Sequence, residues 1–111
     1  MSTITYDQFE AVEIRVGRVL RVEAFPKARN PSFKLWIDFG ELGEKKSSAQ
    51  LTTHYTPESL TGMLVLAVVN FPPRQIADFM SEVLVLGVPD ADGQVVLVRP
   101  DQEVPLGGRL Y

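Results

Sequence analysis

The feature that most limits the possible folds is a short helix placed immediately before an apolar strand. Thr56 is suited to cap this helix, Pro57 stands at its first position and Gly62 at its exit. The segment that follows, Met63–Val69, is apolar throughout, which predicts a strand buried on both faces. A β-sandwich usually has more strands and no helix in such a position, so this pairing favours a small barrel.

Further strands of such a barrel are predicted on either side. Phe33–Phe39 alternates between apolar and polar residues, as a half-buried strand does. Glu13–Glu23 is also a strand, in which Gly17 predicts a bulge or a bend. The other predicted strands are Ser47–Thr53 after a polar connection at Gly40–Lys46, Met63–Phe71, Glu82–Val88, and Val95–Arg99 after a turn at Pro89–Gly93.

A second short helix is predicted near the N-terminus. Thr5 and Gln8 have the spacing of a capping box, and Phe9 and Val12 would hold the helix against the core. The order of elements predicts an all-β protein, a five-stranded Greek-key barrel of the OB-fold type. It has a short N-terminal helix, a short helix between strands 3 and 4, and a C-terminal extension. We expect residues 1–111 to form a single domain, with a second subunit covering the outer face of Met63–Val69.

Composition argues against several classes of protein. The chain has no cysteine, so it forms no disulfide, thiolate metal site or cysteine nucleophile. Residues 1–10 contain acids and no apolar run, unlike a signal peptide. No apolar run approaches the roughly 20 residues that span a bilayer. We therefore expect a cytoplasmic protein that does not insert into a membrane.

Charge is unevenly distributed along the chain. The net charge of −3 and the pI of about 5.1 argue against indiscriminate binding of nucleic acids. Residues 15–46, however, carry eight basic residues against four acids, a local charge of +4. This predicts a basic face on an acidic body, unless those charges are the solvated outer positions of two strands.

The sequence contains no recognisable catalytic motif. His54 is the single histidine and lies in a predicted loop, so it is a poor basis for a Ser-His-Asp arrangement. The chain also has no glycine-rich phosphate loop and no Asp, Glu or His cluster with the spacing of metal ligands. We expect a protein that is not an enzyme and that uses no metal and no cofactor.

The connection after Met63–Val69 is the strongest candidate for a binding loop. It is longer than the polar turn that would suffice to join two strands. Pro72-Pro73 stiffens it, and Arg74 that follows has a side chain suited to phosphate. At its end, Ser81 and Glu82 could accept hydrogen bonds from the exocyclic amine of a base, although Glu82 could instead pair with an arginine. The connection also carries two aromatic residues expected to be exposed, Phe71 and Phe79.

Two predicted strands present side chains suited to a nucleic acid. Lys34 and Trp36 share one side of a strand, on the usual oligonucleotide face of an OB-fold. There the tryptophan could stack a base, worth about 1–3 kcal/mol, while the lysine contacts phosphate. Alternatively, Trp36 lies in a subunit interface or under a loop. Ser47, Ser48 and Gln50 suit base edges or 2′-hydroxyls, and would equally be ordinary polar residues of an edge strand.

Three segments together resemble the CsaA family of small bacterial proteins, within the wider tRNA-binding domain superfamily. They are Phe9–Val19, Lys34–Gly40 with Ser47–Gln50, and Asn70–Arg74 with Ser81–Gly87. The forms Ser-Ser-Ala-Gln at 47–50 and Asn-Phe-Pro-Pro-Arg at 70–74 point to CsaA in particular. Synthetase-type domains of the superfamily commonly read Ser-Glu-Gly-Met where this chain has Ser81–Leu84, and begin a loop with His-Pro where it has Phe25-Pro26.

The resemblance implies an OB-fold homodimer in which the N-terminal helix and the C-terminal tail help the subunits to associate. It also implies binding of tRNA and a chaperone-like role in the export of preproteins. The positions that it places toward RNA are Arg15, Lys34, Ser48, Gln50, Asn70, Arg74, Ser81 and Glu82.

Two functions therefore remain open. The first is a non-catalytic tRNA-binding protein with a chaperone-like role in protein export. The alternative is a peptide-binding secretion chaperone that engages unfolded preproteins or the export machinery and whose RNA binding is weak or absent. Its apolar pockets would be lined by Trp36, Phe71 and Phe79.

Overall fold

The computed structural model describes all 111 residues, Met1–Tyr111. Its helices are α1 (Tyr6–Glu10) and α2 (Pro57–Leu60), and a single 3-10 turn covers Gly40–Leu42. The strands are β1 (Ile14–Ala24), β2 (Phe33–Asp38), β3 (Glu44–Ala49), β4 (Leu64–Val68), β5 (Arg74–Ile76), β6 (Phe79–Ser81), β7 (Leu84–Val85), β8 (Gly87–Pro89) and β9 (Val95–Leu97). None of the helices has the length and apolar character needed to cross a membrane.

Five strands form one antiparallel sheet in the order β3-β2-β1-β4-β7, and the sheet rolls up until β3 meets β6 and β7. The predicted OB-fold barrel with two short helices is confirmed. Its interior is filled by one cluster of apolar side chains, Val19, Leu35, Ile37, Phe39, Leu51, Leu60, Val65, Ala67, Val83 and Leu97.

Strand β2 alternates as predicted. Leu35 and Ile37 are fully buried, whereas the side chains between and beside them are only partly buried. The polar positions of β2 therefore lie on the outer face of the barrel, where they are available to the functional site.

Gly17 has a different role from the predicted one. The register of β1 against β2 shifts between Val19 and Arg21, so the bulge does not lie at Gly17. A β-carbon at Gly17 would lie 2.5 Å from Ile37 Cγ2 and 2.7 Å from Phe39 Cε1. Glycine is required because side chains of β2 and the following residue cross directly over the β1 backbone.

Helix α2 supplies a side chain to the barrel core. Thr56 Oγ1 accepts a hydrogen bond from Ser59 N, and Ser59 Oγ accepts one from Thr56 N, so the predicted helix start is confirmed. Leu60 is fully buried in the core. Gly62 has a φ of +89°, a conformation that glycine adopts readily, and it directs the chain into β4.

Helix α1 begins with the predicted capping box but does not enter the core. Thr5 and Gln8 exchange both hydrogen bonds of the box. No residue of α1 is buried and Val12 is 42% exposed, so the expected packing of Phe9 and Val12 in the core is wrong. The helix is too short to place an apolar stripe against the barrel. Hydrogen bonds between Asn70 and the backbone of Ala11 and Glu13 hold the segment that follows it.

The third strand begins and ends earlier than predicted. β3 covers Glu44–Ala49 rather than Ser47–Thr53, and much of the predicted connection Gly40–Lys46 belongs to the strand. Gly40 and Gly43 have φ values of +66° and +87°, which allow a tight reversal after β2. Leu51, predicted to be in the strand, turns into the core beyond its end.

The outer face of β4 is covered by the chain's own C-terminal segment, not by the second subunit that we expected. Leu106 and Leu110 pack against the cluster that contains Leu66. The segment also pairs with the first residues of β1, on the side that β2 leaves unpaired. There Gly107 N donates a hydrogen bond to Val16 O at 2.8 Å. The tail thereby extends the sheet as well as covering it.

The part of the chain after β4 forms more and shorter strands than predicted. The expected strand Glu82–Val88 is split into β7 and β8, and β8 pairs with β9 around the predicted turn at Pro89–Gly93. The connection between β4 and β7, predicted as a loop, folds into the hairpin β5–β6. Strands of three residues are too short to show the alternation by which a strand is predicted.

The loop after β3 is tied to the β8–β9 turn. His54 Nε2 lies 2.6 Å from Asp90 Oδ2, and Thr53 Oγ1 donates to Gln94 Oε1 at 2.7 Å. Asp90 Oδ1 also accepts hydrogen bonds from the backbone N–H groups of Gln94 and Asp92. The hydrogen bond with His54, followed by those from the backbone, lowers the pKa of Asp90.

Replacing Gly17 by alanine should lower the free energy of unfolding by about 1–3 kcal/mol, because Ile37 and Phe39 must move away from the added methyl group. Chemical denaturation followed by tryptophan fluorescence measures the change. Gly108→Ala is the control, since the nearest atom to its added β-carbon is 3.3 Å away and needs only a small shift. Equal stability of Gly17→Ala and the wild type would contradict the close approach.

Asp90→Asn should make the stability of the protein less dependent on pH in acid. Because folding lowers the pKa of Asp90, its contribution is present above the ordinary value of 3.8 and is lost as pH falls through the folded value. The variant should therefore be less stable than the wild type at neutral pH and equally stable in strong acid. Melting temperatures measured across this range test the prediction. Asp92→Asn, whose side chain makes no hydrogen bond, should follow the wild-type curve.

Candidate nucleic-acid interface

The candidate binding loop is organised by the β5–β6 hairpin, which packs against β3. Arg74 pairs with Ser81 and Ile76 with Phe79 across the hairpin. Ala77 at the turn has a φ of +52°, in the left-handed region. The hairpin therefore holds Arg74 at its open end, close to the barrel, rather than at a free loop tip.

The tip of the hairpin is tied to the loop that follows β1. Lys27 Nζ donates a hydrogen bond to Asp78 Oδ2 at 2.9 Å. This bond lowers the pKa of Asp78 and raises the pKa of Lys27. Both side chains are more than half exposed, so the contact orients the hairpin and contributes little to stability.

Phe79 is buried, with 5% of its surface exposed, so the prediction that it is an exposed aromatic in a peptide pocket is wrong. Its ring packs edge-on against Phe25 and Trp36, with centroid distances of 5.5 and 5.9 Å. Phe71 is 54% exposed, in agreement with the prediction.

Residues 81–83 close the barrel against the edge of β3, and we call these contacts the seam. Glu82 N donates to Lys46 O at 2.8 Å, and Glu82 Oε1 accepts from Lys46 N at 3.0 Å. Ser81 Oγ accepts from Ser48 N at 3.0 Å. Two side chains thus supply the acceptors that a neighbouring strand would otherwise provide.

Ser47 completes the seam from inside the barrel. Its side chain is fully buried, and its hydroxyl donates to Val83 O at 2.9 Å. Ser47 is therefore not available to a ligand, contrary to the expectation that it would suit a base edge. Ser48 and Gln50 remain outside the barrel.

Two adjoining cavities lie beside the seam. The Glu82 cavity, of about 380 Å³, is lined by Ser48, Arg74, Ser81 and Glu82 and by the apolar Phe71 and Leu84. The Gln50 cavity, of about 630 Å³, is lined by Gln50 and Arg29 and shares Ser48 and Arg74 with the first. Five of the eight predicted residues therefore come together around these cavities, namely Ser48, Gln50, Arg74, Ser81 and Glu82.

The polar side chains of the cavities divide into two groups. Those of Ser48, Gln50 and Arg74 make no hydrogen bond or ion pair within the chain, so they are free to meet a ligand. Those of Ser81 and Glu82 are used by the seam and fix the cavity wall. Nowhere in the chain do three or more His, Cys, Asp or Glu side chains converge in a way that could hold a metal ion.

Two lysines flank the aromatic cluster beside the cavities. Lys34 pairs with Ser48 across β2 and β3, so both side chains lie on the same face. Lys34 Nζ is 4.9 Å from the centre of the Phe25 ring, and Lys46 Nζ is 5.1 Å from that of Phe79. Neither lysine forms an ion pair within the chain. The ring faces stabilise two cations that have no carboxylate within ion-pair distance.

Trp36 lies on this outer face but lines neither cavity. Arg21 Cζ lies 3.9 Å from the centre of its ring, and Phe79 meets it at an interplanar angle of 78°. One face of the indole is therefore occupied by the guanidinium, which leaves less of it for the base stacking considered above.

Arg15 and Asn70 lie apart from the cavities and hold the backbone. The Arg15 guanidinium contacts Glu13 Oε1 at 2.7 Å and donates to Gly107 O at 2.9 Å. Asn70 Oδ1 accepts from Glu13 N at 3.0 Å, and Asn70 Nδ2 donates to Ala11 O at 2.8 Å. These two residues anchor the N-terminal segment and the tail to the barrel.

Two cations at this site, Lys46 and Arg29, were missed by the sequence analysis. Lys46 was assigned to a connection, although its spacing from Ser48 would have placed both on one face of a longer strand. Arg29 reaches the Gln50 cavity from the loop after β1. No local pattern indicates where that loop packs.

Comparisons with known proteins agree with this geometry. Residues 14–109 match the family described as "Putative tRNA binding domain". The crystal structure of the chaperone CsaA of Bacillus anthracis is 50% identical, with a TM-score of 0.92, over 99% of this chain and 100% of that one. The CsaA chaperone protein of Picrophilus torridus is 47% identical, with a TM-score of 0.90, over 98% and 100%.

Longer proteins contain a related segment. The methionine–tRNA ligase of Porphyromonas gingivalis is 36% identical over 107 residues, which cover 96% of this chain and 15% of the ligase. The chain therefore spans about 15% of the length of the curated relatives it matches. The segment shared with these ligases covers almost the whole of this chain.

The chain belongs to the tRNA-binding domain family. Within that family it falls with the CsaA proteins, whose structures align with it over almost its whole length. The resemblance drawn from the three sequence segments is confirmed.

Glu82→Ala should lower the free energy of unfolding by about 1–3 kcal/mol, because the Lys46 N–H loses its acceptor in a partly buried seam. Glu82→Gln should stay close to the wild type, since an amide oxygen can accept the same hydrogen bond. Denaturant unfolding of the three proteins measures the difference. If the alanine and glutamine variants were equally stable, the seam would not depend on this side chain.

Proposed function

We propose that this chain is a non-catalytic protein that binds tRNA at the two cavities and the lysines beside them. The observation that carries this proposal is the convergence of four polar side chains that make no hydrogen bond or ion pair within the chain, Lys34, Ser48, Gln50 and Arg74. They present two cations, a hydroxyl and an amide on one surface. These are the groups that contact the phosphates, 2′-hydroxyls and base edges of RNA.

The distribution of charge supports the same surface. Arg29, Lys34, Lys46 and Arg74 border or line the cavities, and none of them is paired with an acid. The net charge of −3 means that attraction to RNA arises from this patch and not from the protein as a whole. Binding through a local patch should involve few phosphates and a defined orientation.

The eight positions implied by the family take two roles in this proposal. Lys34, Ser48, Gln50 and Arg74 contact the RNA. The positioning residues, whose polar groups already serve the fold, are Arg15, Asn70, Ser81 and, through one carboxylate oxygen, Glu82. This division explains how all eight could be needed for binding although Arg15, Asn70 and Ser81 do not touch the ligand.

We infer that the protein acts as a homodimer. A third cavity of about 370 Å³ lies beside the C-terminal tail, where Val104 is 38% exposed and Tyr111 is fully exposed. The tail covers β4 but leaves this apolar surface open, and a second copy of the chain would cover it. A dimer presents two RNA-binding surfaces and raises the effective concentration of the second.

A second candidate function is the binding of unfolded polypeptides, in keeping with the chaperone names of the CsaA relatives. The observation that favours it is the exposed apolar surface at the Glu82 cavity, where Phe71 is 54% and Leu84 50% exposed. Of the three residues predicted for this role, only Phe71 lines the cavity. In this function the protein would hold preproteins in the cytoplasm for the export machinery.

Arg74→Ala should weaken the binding of bulk tRNA several-fold and reduce the slope of log Kd against log salt concentration by about one unit. The reason is that one phosphate contact is lost. Anisotropy titrations of labelled tRNA at low and physiological salt measure both quantities.

Lys45→Ala is the matched control for this experiment. It also removes one positive charge but lines neither cavity, so its effect should be smaller. If Arg74→Ala bound tRNA as the wild type does, the assigned surface would be wrong. Absent tRNA binding together with salt-insensitive binding of an unfolded polypeptide would favour the chaperone function instead.

A further inference from the structure

We propose that the Glu82 cavity binds one unpaired guanine base of the RNA ligand. This inference rests on the proposed function and specifies what the cavity selects. Its volume of about 380 Å³ lies within the range of small-molecule sites. Phe71 and Leu84, each about half exposed, offer apolar surface to the faces of a base that has left its stack.

The carboxylate of Glu82 is held at the wall of this cavity. Glu82 Oε1 accepts the Lys46 N–H, and the backbone N–H of Glu82 donates to Lys46 O, so both ends of the residue are fixed to β3. Glu82 Oε2 makes no hydrogen bond within the chain. A carboxylate has about four acceptor sites, and the seam uses one of them.

A fixed carboxylate restricts which part of an RNA can occupy the cavity. It repels phosphate oxygens, so the group that faces it must carry hydrogen-bond donors, as a base edge or a 2′-hydroxyl does. Of these, only a base edge can offer two adjacent donors to one carboxylate. Guanine carries two adjacent donors on its Watson–Crick edge, N1–H and the N2 amine, which match the two oxygens of a carboxylate. Adenine and cytosine present one amine beside an acceptor nitrogen, and uracil presents one N–H between two carbonyl oxygens.

Arg74 supplies the opposite charge in the same cavity. It lines the cavity with Glu82, yet no ion pair joins the two side chains. An acid and a base that share a cavity without contact can be bridged by a ligand that carries both a donor edge and an anionic phosphate. A guanosine nucleotide has both, with the base toward Glu82 and the phosphate toward Arg74.

The experiment is a titration of labelled hexauridylate in which one central base is replaced by guanine, adenine, cytosine or hypoxanthine. We expect the guanine oligonucleotide to bind about fivefold or more tightly than hexauridylate. The hypoxanthine oligonucleotide, which lacks the N2 amine, should fall between them. Equal binding of all five, or failure of the guanine oligonucleotide to bind, would overturn the proposal.

The same titrations with the Glu82→Gln variant test the role of the carboxylate. The amide oxygen of the variant preserves the hydrogen bond to Lys46, while an amide NH₂ replaces the free acceptor, so the preference for guanine should disappear although the protein stays folded. Glu58→Gln, which makes the same change of charge on the exposed surface of α2, should leave the preference unchanged. A preference for guanine that survives in Glu82→Gln would overturn the role given to the carboxylate.

Binding of bulk tRNA, measured in parallel, separates this inference from the proposed function. Tight binding of tRNA without discrimination among the oligonucleotides would reject the guanine site and leave tRNA binding in place. Loss of all RNA binding, with an apolar peptide occupying the cavity instead, would reject both.

Discussion

The structure depends on how the open edge of β3 is satisfied. An edge strand carries backbone N–H and C=O groups that lose free energy when buried without a partner and that attract other strands when exposed. In this protein β7 has only two residues, so backbone pairing alone is too short to close the barrel. Glu82 and Ser81 complete the closure with side-chain acceptors for Lys46 N and Ser48 N. The seam is therefore a substitute for the missing length of strand.

This closure explains how a long connection can carry an ordered site. The chain leaves β4 through Pro72-Pro73, forms the β5–β6 hairpin and returns to the barrel at the seam. Because both ends are fixed, the backbone at Arg74 is held beside the cavities, although the Arg74 side chain makes no hydrogen bond or ion pair within the chain. A side chain supported in this way gives up less freedom on binding than one on a flexible loop. The same residues that close the barrel thus determine the shape of the binding surface.

Sequence reasoning succeeded where neighbours along the chain decide the structure. The caps at Thr5 and Thr56 and the alternation of β2 depend on groups within a few residues of one another. It failed for Phe79, because Phe79 is buried against Phe25 and Trp36, which lie more than forty residues earlier in the sequence. It failed likewise for the cover of β4, since no local pattern shows that the last residues of the chain fold back onto that strand. The residue types of the site could be predicted from the sequence. Which of its side chains are free and which are already hydrogen-bonded within the chain, as Ser81 and Glu82 are, could be seen only in the three-dimensional structure.

That division matters because the protein is acidic. A strongly basic protein can bind RNA through many interchangeable phosphate contacts, and its affinity then says little about any one residue. A chain with a net charge of −3 lacks such an excess of positive charge. In the proposed function, recognition of RNA therefore depends on a few unpaired cations and on a fixed pattern of hydrogen-bond donors and acceptors. A carboxylate at the centre of the surface would weaken a purely electrostatic site. One oxygen of that carboxylate is needed to close the barrel at Lys46, and in our proposal its other oxygen turns this structural requirement into selectivity for a base edge.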